Sequence, residues 1–397
     1  MIQISNRILN MEESATLKMA NLAWKLKEEG KDIISLSLGE PDFDTPEFIK
    51  NAAIEAINNN YTHYPPVPGY KDVKEAICKK FKRDNGLEFS PDQIVISTGA
   101  KHSLMNLCLS ILNPGDEVVL PAPFWVSYEA MVKFAEATPV IVNSNIETDF
   151  KISPKQLEDA LTDKTRMFIF SNPCNPSGSV YTKDELIAFS DIFKKYPKCI
   201  VVSDEIYELI NFGDKNFSIG TCENIKNQVV TVNGVAKGFS MTGWRIGYIG
   251  APLEIAQACI KLQGQFTSGA NTIAQKATAA AVLADPSVVD EMKKIFLERR
   301  NLFIKLLKEI PGLEVNNPAG AFYVFPDISA FLGKEYNGQK MNNVDDITMF
   351  ILEFAQVATT PGDAFGCPNN LRLSYANSNE QLKDAALRMK KAFALLK

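Results

Sequence analysis

Histidine is scarce in this chain of 397 residues, where only His63 and His102 occur. A Ser-His-Asp triad could use at most one of them, and the G-x-S-x-G motif that presents a nucleophilic serine is absent. Two histidines cannot build a multi-histidine metal site, and the H-E-x-x-H motif is also absent. We therefore expect no metal site, and chemistry that depends on lysine, aspartate, tyrosine, arginine or a cofactor.

Cysteine motifs, long apolar segments and basic clusters are missing as well. The seven cysteines are scattered and form no C-x-x-C motif, which favours reduced thiols in the cytosol. No apolar run approaches the roughly 20 residues that cross a bilayer, and Glu12 and Glu13 lie where a signal peptide needs its apolar segment. The net charge is -5, with no run of Lys or Arg. These features predict a cytoplasmic protein that binds neither membrane nor nucleic acid.

Short β-rich runs alternate with helical patterns through most of the chain. This alternation predicts an α/β fold in which a mostly parallel sheet lies between helices. Residues 47–58 are predicted to form a helix, with Thr45 as its cap and Pro46 at its first position. The predicted buried strands are 33–38, 93–97, 116–120, 166–170, 199–203 and 229–232.

The pattern changes after about residue 290. A long charged helix, predicted at 288–310, precedes two β-rich runs at 322–325 and 371–374 and a closing helix. This change of pattern predicts a smaller α+β domain, against which the N-terminal segment packs.

Lys237 lies among small and apolar residues directly after the β-rich run 229–232. Burial lowers the pKa of such a lysine and makes its amine a usable nucleophile. Arg245 follows between Gly243 and Gly247, which allow close approach of the backbone. A Schiff-base lysine with a phosphate-binding arginine is what pyridoxal phosphate requires. On composition alone, an exposed loop lysine and a surface arginine explain the segment better.

Three other segments place polar residues just after predicted strands, where ligands bind in parallel sheets. Asp204 and Tyr207 follow one strand, and Asn175 lies in the turn after another. Residues 97–101 turn a third strand into a helix, whose N-terminus offers free N–H groups to a phosphate. Each signal is weak alone, because a helix cap or an ordinary turn explains the same residues.

Together and in this order, these segments resemble the class I pyridoxal-phosphate-dependent aminotransferases of fold type I. The likeness runs essentially end to end and includes G-E-P-D-F-D-T-P at 39–46, P-F-W-V-S-Y at 123–128 and R-L-S-Y at 372–375. Within the family, the chain is most similar to the bacterial aspartate aminotransferase branch. Three strings carry this finer likeness: G-E-P-D-F-D-T-P, W-V-S-Y and N-G-x-A-K-x-F-x-M-T-G-W-R-I-G-Y, which ends at Tyr248.

The resemblance implies a two-domain architecture. The large cofactor-binding domain, residues 46–289, contains a mostly parallel seven-stranded sheet between helices. The small domain is built from residues 1–45 and 290–397. The resemblance also implies a homodimer with shared active sites, in which Tyr64 of one subunit reaches the cofactor phosphate of the other.

The resemblance further implies roles around pyridoxal phosphate. Lys237 holds the cofactor covalently and moves the substrate proton, and Asp204 pairs with the pyridinium nitrogen. Tyr207 and Asn175 hydrogen-bond the phenolic oxygen of the ring, on which Trp125 stacks. The cofactor phosphate is held by Arg245 and by the backbone N–H groups of Ala100 and Lys101.

For the substrate, the resemblance implies that Arg372 grips the α-carboxylate, beside a backbone contact from Gly39 and contacts from Trp125 and Asn175. The Lys101 side chain is a candidate partner for a side-chain carboxylate. The expected reaction converts L-aspartate and 2-oxoglutarate to oxaloacetate and L-glutamate by a ping-pong cycle. Preference for aromatic amino acids, alanine, kynurenine or methionine is the alternative, because few residues set such a pocket. A regulatory protein or other fold type I chemistry fits the motifs less well.

Two departures from the family pattern affect these expectations. Many members carry a hydroxyl residue just before the lysine, where this chain has Gly234, Val235 and Ala236, so one phosphate contact is missing. Members that also transaminate prephenate carry a basic residue near the N-terminus, where this chain has Glu12. An acid there repels a dicarboxylate, and weak or absent prephenate activity is therefore predicted.

Overall fold

The strands of the chain are short, and most belong to one sheet. The structure is a computed structural model that describes residues 2–9, 11 and 13–397. The strands are β1 (Ile34–Ser35), β2 (Ile94–Ser97), β3 (Glu117–Pro121), β4 (Thr138–Val142), β5 (Thr165–Ser171), β6 (Ile200–Asp204), β7 (Val229–Gly234), β8 (Gly247–Gly250), β9 (Tyr323–Val324), β10 (Glu335–Tyr336), β11 (Gln339–Lys340), β12 (Val357–Ala358), β13 (Thr360–Pro361) and β14 (Leu371–Ser374).

Helices fill most of the intervals between these strands. No helix in the described ranges is long and apolar enough to cross a membrane. The helices are α1 (Asn6–Leu9), α2 (Ala15–Glu28), α3 (Glu47–Asn58), α4 (Lys71–Lys80), α5 (Ala100–Ile111), α6 (Ser127–Phe134), α7 (Pro154–Ala160), α8 (Lys183–Phe193), α9 (Leu253–Phe266), α10 (Thr272–Leu283), α11 (Asp290–Leu307), α12 (Val344–Phe350) and α13 (Asn379–Phe393).

The main sheet has seven strands in the order β2-β8-β7-β6-β5-β3-β4. The strands from β7 to β4 pair in parallel, and only β8 runs against both of its neighbours. Successive residues of the central strands pack into different cores: Val201 faces one apolar cluster and Val202 the other. Strands buried on both faces have helices on both sides. The predicted fold class, an α/β fold with a mostly parallel seven-stranded sheet, is confirmed.

The sequence pattern did not predict two strands of this sheet. Strand β4 lies at the edge of the sheet and contains Pro139, a residue that edge strands tolerate and that weakens any strand pattern. Strand β8 begins and ends with glycine, which usually indicates a turn. Here the glycines provide space, because a Cβ on Gly247 would collide with the backbone of Gly99 and Ala100.

The predicted helix at 47–58 has the predicted bounds, but its predicted cap is wrong. Pro46 is the residue that precedes the first turn, and no side chain caps that turn. The Thr45 hydroxyl instead donates to the Ser240 carbonyl at 2.7 Å and accepts from Trp244 Nε1 at 3.1 Å. Thr45 therefore ties the chain before α3 to the segment that carries Lys237.

A separate apolar core brings the two ends of the chain together. Ile34 and Leu36 pack with residues of α11 and α13, among them Phe303 and Leu382. Strand β1 pairs in parallel with β12, and β9, β13 and β14 form a small antiparallel sheet. The domain boundaries at residues 45/46 and 289/290 stay a prediction.

Candidate active site

Three parallel strands end side by side at one edge of the main sheet. Ser171 at the end of β5 is in register with Asp204 at the end of β6, and Asp204 with Val232 of β7. Because parallel strands present their carboxyl ends at the same edge, the segments that follow them meet there. Those segments carry Asn175, Asp204 and Lys237, which the sequence analysis singled out.

Lys237 follows β7 and turns its amine toward the N-terminal segment. Its Nζ donates to the Gly39 carbonyl at 2.5 Å and lies 5.9 Å from the centre of the Tyr207 ring. Burial lowers the pKa of the Lys237 ammonium to about 8, and the charges of Arg372 and Arg245 act in the same direction. Roughly a tenth of this amine is therefore unprotonated at pH 7, far more than for an ordinary lysine, and it can act as a nucleophile or base.

With the cofactor that the sequence resemblance implies, this pKa predicts how fast the cofactor-free protein binds pyridoxal phosphate at different pH values. The second-order rate constant should rise about tenfold per pH unit at low pH, and should level off above pH 8, where the Lys237 amine is already free. Stopped-flow absorbance between pH 6 and 10 measures it, since second-order constants report groups of the free enzyme. An ordinary lysine has a pKa near 10.4, so a rate that still climbs steeply at pH 9.5 would contradict the assignment.

Asp204 is buried at the end of β6, with both carboxylate oxygens held. Its Oδ2 accepts from the Tyr128 hydroxyl at 2.7 Å, and its Oδ1 accepts from the Ile206 N–H at 3.2 Å. Burial raises the pKa of Asp204 to about 6, and these hydrogen bonds together with the charge of Lys237 oppose the rise. The carboxyl is thus mainly ionised at neutral pH and fixed in orientation, which suits an acid that faces a cationic ring nitrogen.

Arg372 is the largest charged side chain in the interior, with 1% of its surface exposed. It donates to the Asn175 amide oxygen at 3.1 Å and to the Ser37 carbonyl at 2.5 Å. Its Nε has no hydrogen-bond partner, and burial lowers the pKa of the guanidinium. Within the described ranges no carboxylate forms an ion pair with Arg372. A buried cation with an unused N–H is well suited to bind a ligand carboxylate.

Two tyrosines connect this arginine to the other groups. Tyr207 and Tyr323 share a hydrogen bond between their hydroxyls at 2.8 Å, and the Arg372 guanidinium lies 4.7 Å from the Tyr323 ring centre. Burial raises the pKa of Tyr207 well above its ordinary value, so its hydroxyl stays protonated. Tyr323 also leaves no room for a side chain at position 39, because a Cβ on Gly39 would collide with the Tyr323 hydroxyl.

The N-terminus of α5 lies beside the same edge of the sheet. Gly99 precedes the helix with φ +85°, and no side chain caps the first turn. The Ala100 and Lys101 N–H groups, in the first turn, have no intrahelical acceptor. The Arg245 guanidinium donates to the Thr242 carbonyl at 2.8 Å and packs so closely on Gly99 that a Cβ there would collide with it. Free N–H groups with an arginine beside them form a phosphate site.

The Lys101 side chain, in the first turn of α5, lies beside the Trp125 ring. Lys101 Nζ lies 5.0 Å from the Trp125 ring centre. Burial and the charge of Arg245 lower the pKa of Lys101. Lys101 also lines a cavity of about 1180 Å³, together with Val126, Ser127 and Thr348. No described carboxylate forms an ion pair with Lys101.

Tyr64, the residue predicted to reach the site of another subunit, has 96% of its surface exposed. Sequence reasoning missed Tyr128, Tyr323 and Ser37. Tyr128 lies in the W-V-S-Y motif, three residues after Trp125 and in the first turn of α6, and that spacing could have indicated it. No sequence signal distinguishes Tyr323 or Ser37, because they lie in ordinary β-rich runs.

Comparison with known proteins identifies the family that this fold and site define. The sequence profile described as "Aminotransferase class I and II" matches residues 31–389. The chain belongs to this family of aminotransferases, which depend on pyridoxal phosphate.

Individual relatives resemble the chain over nearly its full length. An aspartate/prephenate aminotransferase of Nitrosomonas europaea is 44% identical over 392 residues, which cover 98% of this chain and 99% of that protein. The solved aspartate aminotransferase of Rhizobium meliloti is 38% identical with a TM-score of 0.96, and covers 100% of both chains. The Thermus thermophilus aspartate aminotransferase solved with maleate is 37% identical with a TM-score of 0.93, over 99% of this chain and 100% of that one.

The residues present fit pyridoxal phosphate. Lys237 offers an amine of lowered pKa for the aldehyde, and Asp204 offers a buried carboxylate for the pyridine nitrogen. Gly99 leaves the N-terminus of α5 open to the phosphate, beside the guanidinium of Arg245. The Trp125 ring packs edge-on against Tyr128, which donates to Asp204, and so offers an aromatic ring near that carboxylate.

Proposed function

We propose that this aminotransferase acts on L-aspartate and 2-oxoglutarate and forms oxaloacetate and L-glutamate in a ping-pong cycle. The observation that carries the substrate proposal is the pair of cations without described carboxylate partners, Arg372 and Lys101. An amino acid with two carboxylates needs two such groups. The names of the Nitrosomonas and Rhizobium relatives agree with aspartate, and maleate in the Thermus structure is a four-carbon dicarboxylate.

Arg372 is the proposed partner of the α-carboxylate, which every substrate carries. Its fork is already oriented by Asn175, Ser37 and the Tyr323 ring, so little side-chain freedom is lost when a ligand binds. Lys101 is the proposed partner of the side-chain carboxylate. Burial and the charge of Arg245 lower the pKa of Lys101, and a carboxylate bound beside it would favour the charged ammonium and oppose that shift.

Lys237 is the proposed base. Pyridoxal phosphate supplies an aldehyde that condenses with amines and a ring that accepts the electron pair released at the substrate Cα. The Lys237 amine accepts the proton from that Cα, which a base with a pKa of about 8 does efficiently near neutral pH. Asp204 holds a proton at the ring nitrogen, and Tyr128 fixes the Asp204 carboxylate for this purpose. Tyr207 and Asn175 are the proposed donors to the phenolic oxygen, and Trp125 the proposed stacking partner.

We also propose a homodimer in which each subunit completes the other's phosphate site with Tyr64. The loop of Tyr64 is tied on both sides, because the Tyr61 carbonyl accepts from the Thr272 hydroxyl and the Val67 carbonyl accepts from Gln263, yet the Tyr64 side chain is 96% exposed. A tyrosine held rigidly in solvent suits a contact with another subunit. The seven cysteines are free thiols, which supports the cytoplasm as the proposed location.

Weak prephenate activity stays a prediction. It depends on Glu12, which lies outside the described residues. The Nitrosomonas relative includes prephenate in its name.

Replacing Lys101 with alanine tests the substrate proposal. We expect kcat/KM for L-aspartate and L-glutamate to fall about 30- to 100-fold, because a partly desolvated charge pair contributes roughly 2–3 kcal/mol. Alanine and phenylalanine have no second carboxylate, so their kcat/KM should change less than about threefold. Steady-state assays with the four amino acids measure this difference.

Lys133→Ala is the matched control, since Lys133 is another lysine of the same cavity but pairs with Glu129 on its own helix. Lys133→Ala should leave kcat/KM unchanged for all four amino acids. Equal losses for alanine and aspartate in Lys101→Ala would remove Lys101 from side-chain recognition. A wild-type preference for phenylalanine over aspartate would favour the aromatic alternative.

A further inference from the structure

Gln263 on α9 is a buried carboxamide whose hydrogen-bonding capacity is fully used. Its Oε1 accepts from the Ser97 hydroxyl at 2.8 Å and from Asn106 Nδ2 at 3.0 Å. Its Nε2 donates to the carbonyls of Ile96 and Val67, both at 2.9 Å. Gln263 is 0% exposed, and four satisfied hydrogen bonds fix its position and those of its partners. It lines no part of the cavity and touches no group assigned to the reaction.

Three of these partners belong to the elements that form the proposed phosphate site. Ile96 and Ser97 are the last residues of β2, directly before Gly99 and the first turn of α5. Asn106 lies on α5 itself, two turns further along. Gln263 therefore fixes both the strand that leads into the helix and the helix, and so sets where the free N–H groups of its first turn lie.

The fourth partner belongs to the loop that carries Tyr64. The Val67 carbonyl accepts from Gln263, and the adjacent Pro68 carbonyl accepts from the Ile96 N–H at 3.1 Å. Both ends of the loop are tied to α10, where the Thr272 hydroxyl donates to the Tyr61 carbonyl and the Gln275 amide oxygen accepts from the Tyr70 N–H at 2.9 Å. The loop is thus attached to the end of β2 through the same buried amide that holds α5.

We propose that Gln263 is a positioning residue for the cofactor phosphate that acts on two sites at once. It sets the N-terminus of α5 in its own subunit and the Tyr64 loop that reaches the site of the partner subunit. The second half rests on the shared sites of the proposed function. A single side chain then couples the phosphate contacts of both active sites in the dimer.

Gln263→Met tests the proposal, because methionine has similar length but neither donor nor acceptor. We expect the Kd of pyridoxal phosphate for the apoenzyme to rise about tenfold or more, since small misplacements of binding groups cost up to ~100-fold. At saturating cofactor, kcat should stay within about twofold, because Gln263 contacts no reacting atom. Gln228→Met is the matched control: it removes another buried carboxamide, which donates to the carbonyls of Phe193 and Cys199 and has no hydrogen bond to β2, α5 or the Tyr64 loop, and the Kd should change far less.

Mixed dimers separate the two halves of the proposal. Two differently tagged chains are co-expressed, one of them Lys237→Ala, so that the absorbance band of lysine-bound cofactor reports a single site. Gln263→Met on the chain with Lys237 tests the α5 contact, and Gln263→Met on the Lys237→Ala chain tests the Tyr64 contact. The proposal predicts weaker cofactor binding in both arrangements.

Each outcome decides a part of the proposal. Weaker binding only when the substitution is on the Lys237 chain would overturn the cross-subunit half. Normal Kd in both arrangements with a lower melting temperature would leave Gln263 a purely structural residue. Tyr64→Ala on the Lys237→Ala chain is the reference: if it leaves the Kd unchanged, the shared-site part of the proposed function fails, and the cross-subunit half fails with it.

Gln263→Glu decides the proposal if the methionine variant does not fold. Glutamate keeps an acceptor for Ser97 and Asn106 but removes both donors to the carbonyls of Ile96 and Val67. Its cofactor affinity relative to wild type should improve as the pH falls, because a protonated carboxyl regains one donor. An affinity equal to wild type at every pH would contradict the proposed role.

Discussion

Replacing Lys237 with alanine is expected to lower kcat for transamination by at least about 10⁴-fold, because both the covalent attachment and the proton transfer are lost. Neither described neighbour can replace this base, because Asp204 is held by Tyr128 and Ile206 and Tyr207 stays protonated. Single-turnover assays with L-aspartate measure the loss. The absorbance band of lysine-bound cofactor should disappear as well.

The control for this experiment is Lys261→Ala. It removes an exposed lysine on α9, which lies outside the segment after β7 that carries Lys237. It should retain the band and the rate of the wild type. A small primary amine added to Lys237→Ala should restore part of the rate, because the missing group is a base of known position. Residual activity above about 1% of wild type without added amine would contradict the role of Lys237, since general base catalysis alone contributes at least ~100-fold.

The second large effect is expected for Arg372→Leu. Loss of the buried guanidinium that we propose binds the α-carboxylate through two hydrogen bonds should lower kcat/KM by about 10³-fold, which corresponds to roughly 4 kcal/mol. Every amino acid carries the α-carboxylate, so aspartate, alanine and phenylalanine should lose activity alike. This pattern differs from Lys101→Ala, which affects dicarboxylates only. Steady-state assays with the same amino acids give the comparison.

Arg372→Lys separates charge from geometry. The lysine keeps a positive charge but cannot donate through two parallel N–H groups or hold Asn175 and Ser37 together. We expect an intermediate kcat/KM, between wild type and Arg372→Leu, and melting temperatures show whether either variant has lost its fold. Unchanged kcat/KM in Arg372→Leu, with the fold intact, would mean that the α-carboxylate binds elsewhere.

The sequence predicted the parts of the site that directly follow strands. Asn175, Asp204 and Lys237 each come after a short buried run, and the parallel pairing of β5, β6 and β7 brings them to one edge. The parallel sheet was itself predictable, because its apolar runs alternate with helical patterns. The bounds of α3 and β14 match the predicted ranges, although the cap predicted for α3 is wrong.

Contacts between distant segments could not be predicted from local pattern. The hydrogen bond from Tyr128 to Asp204 joins residues 76 positions apart, and that between Tyr207 and Tyr323 joins residues 116 apart. Gln263 gives no sequence signal, since a polar residue on an amphipathic helix is ordinarily exposed. Its burial depends on how β2, α5 and the Tyr64 loop meet.

The most direct test of the account is the response of the cofactor-loaded enzyme to L-aspartate in the absence of any 2-oxo acid. The account predicts that the absorbance band of lysine-bound cofactor is lost, that one oxaloacetate forms per active site, and that 2-oxoglutarate then restores the band while L-glutamate appears. No such band should form with Lys237→Ala. A band that persists with aspartate and glutamate, or the absence of any band in the wild type, would contradict it.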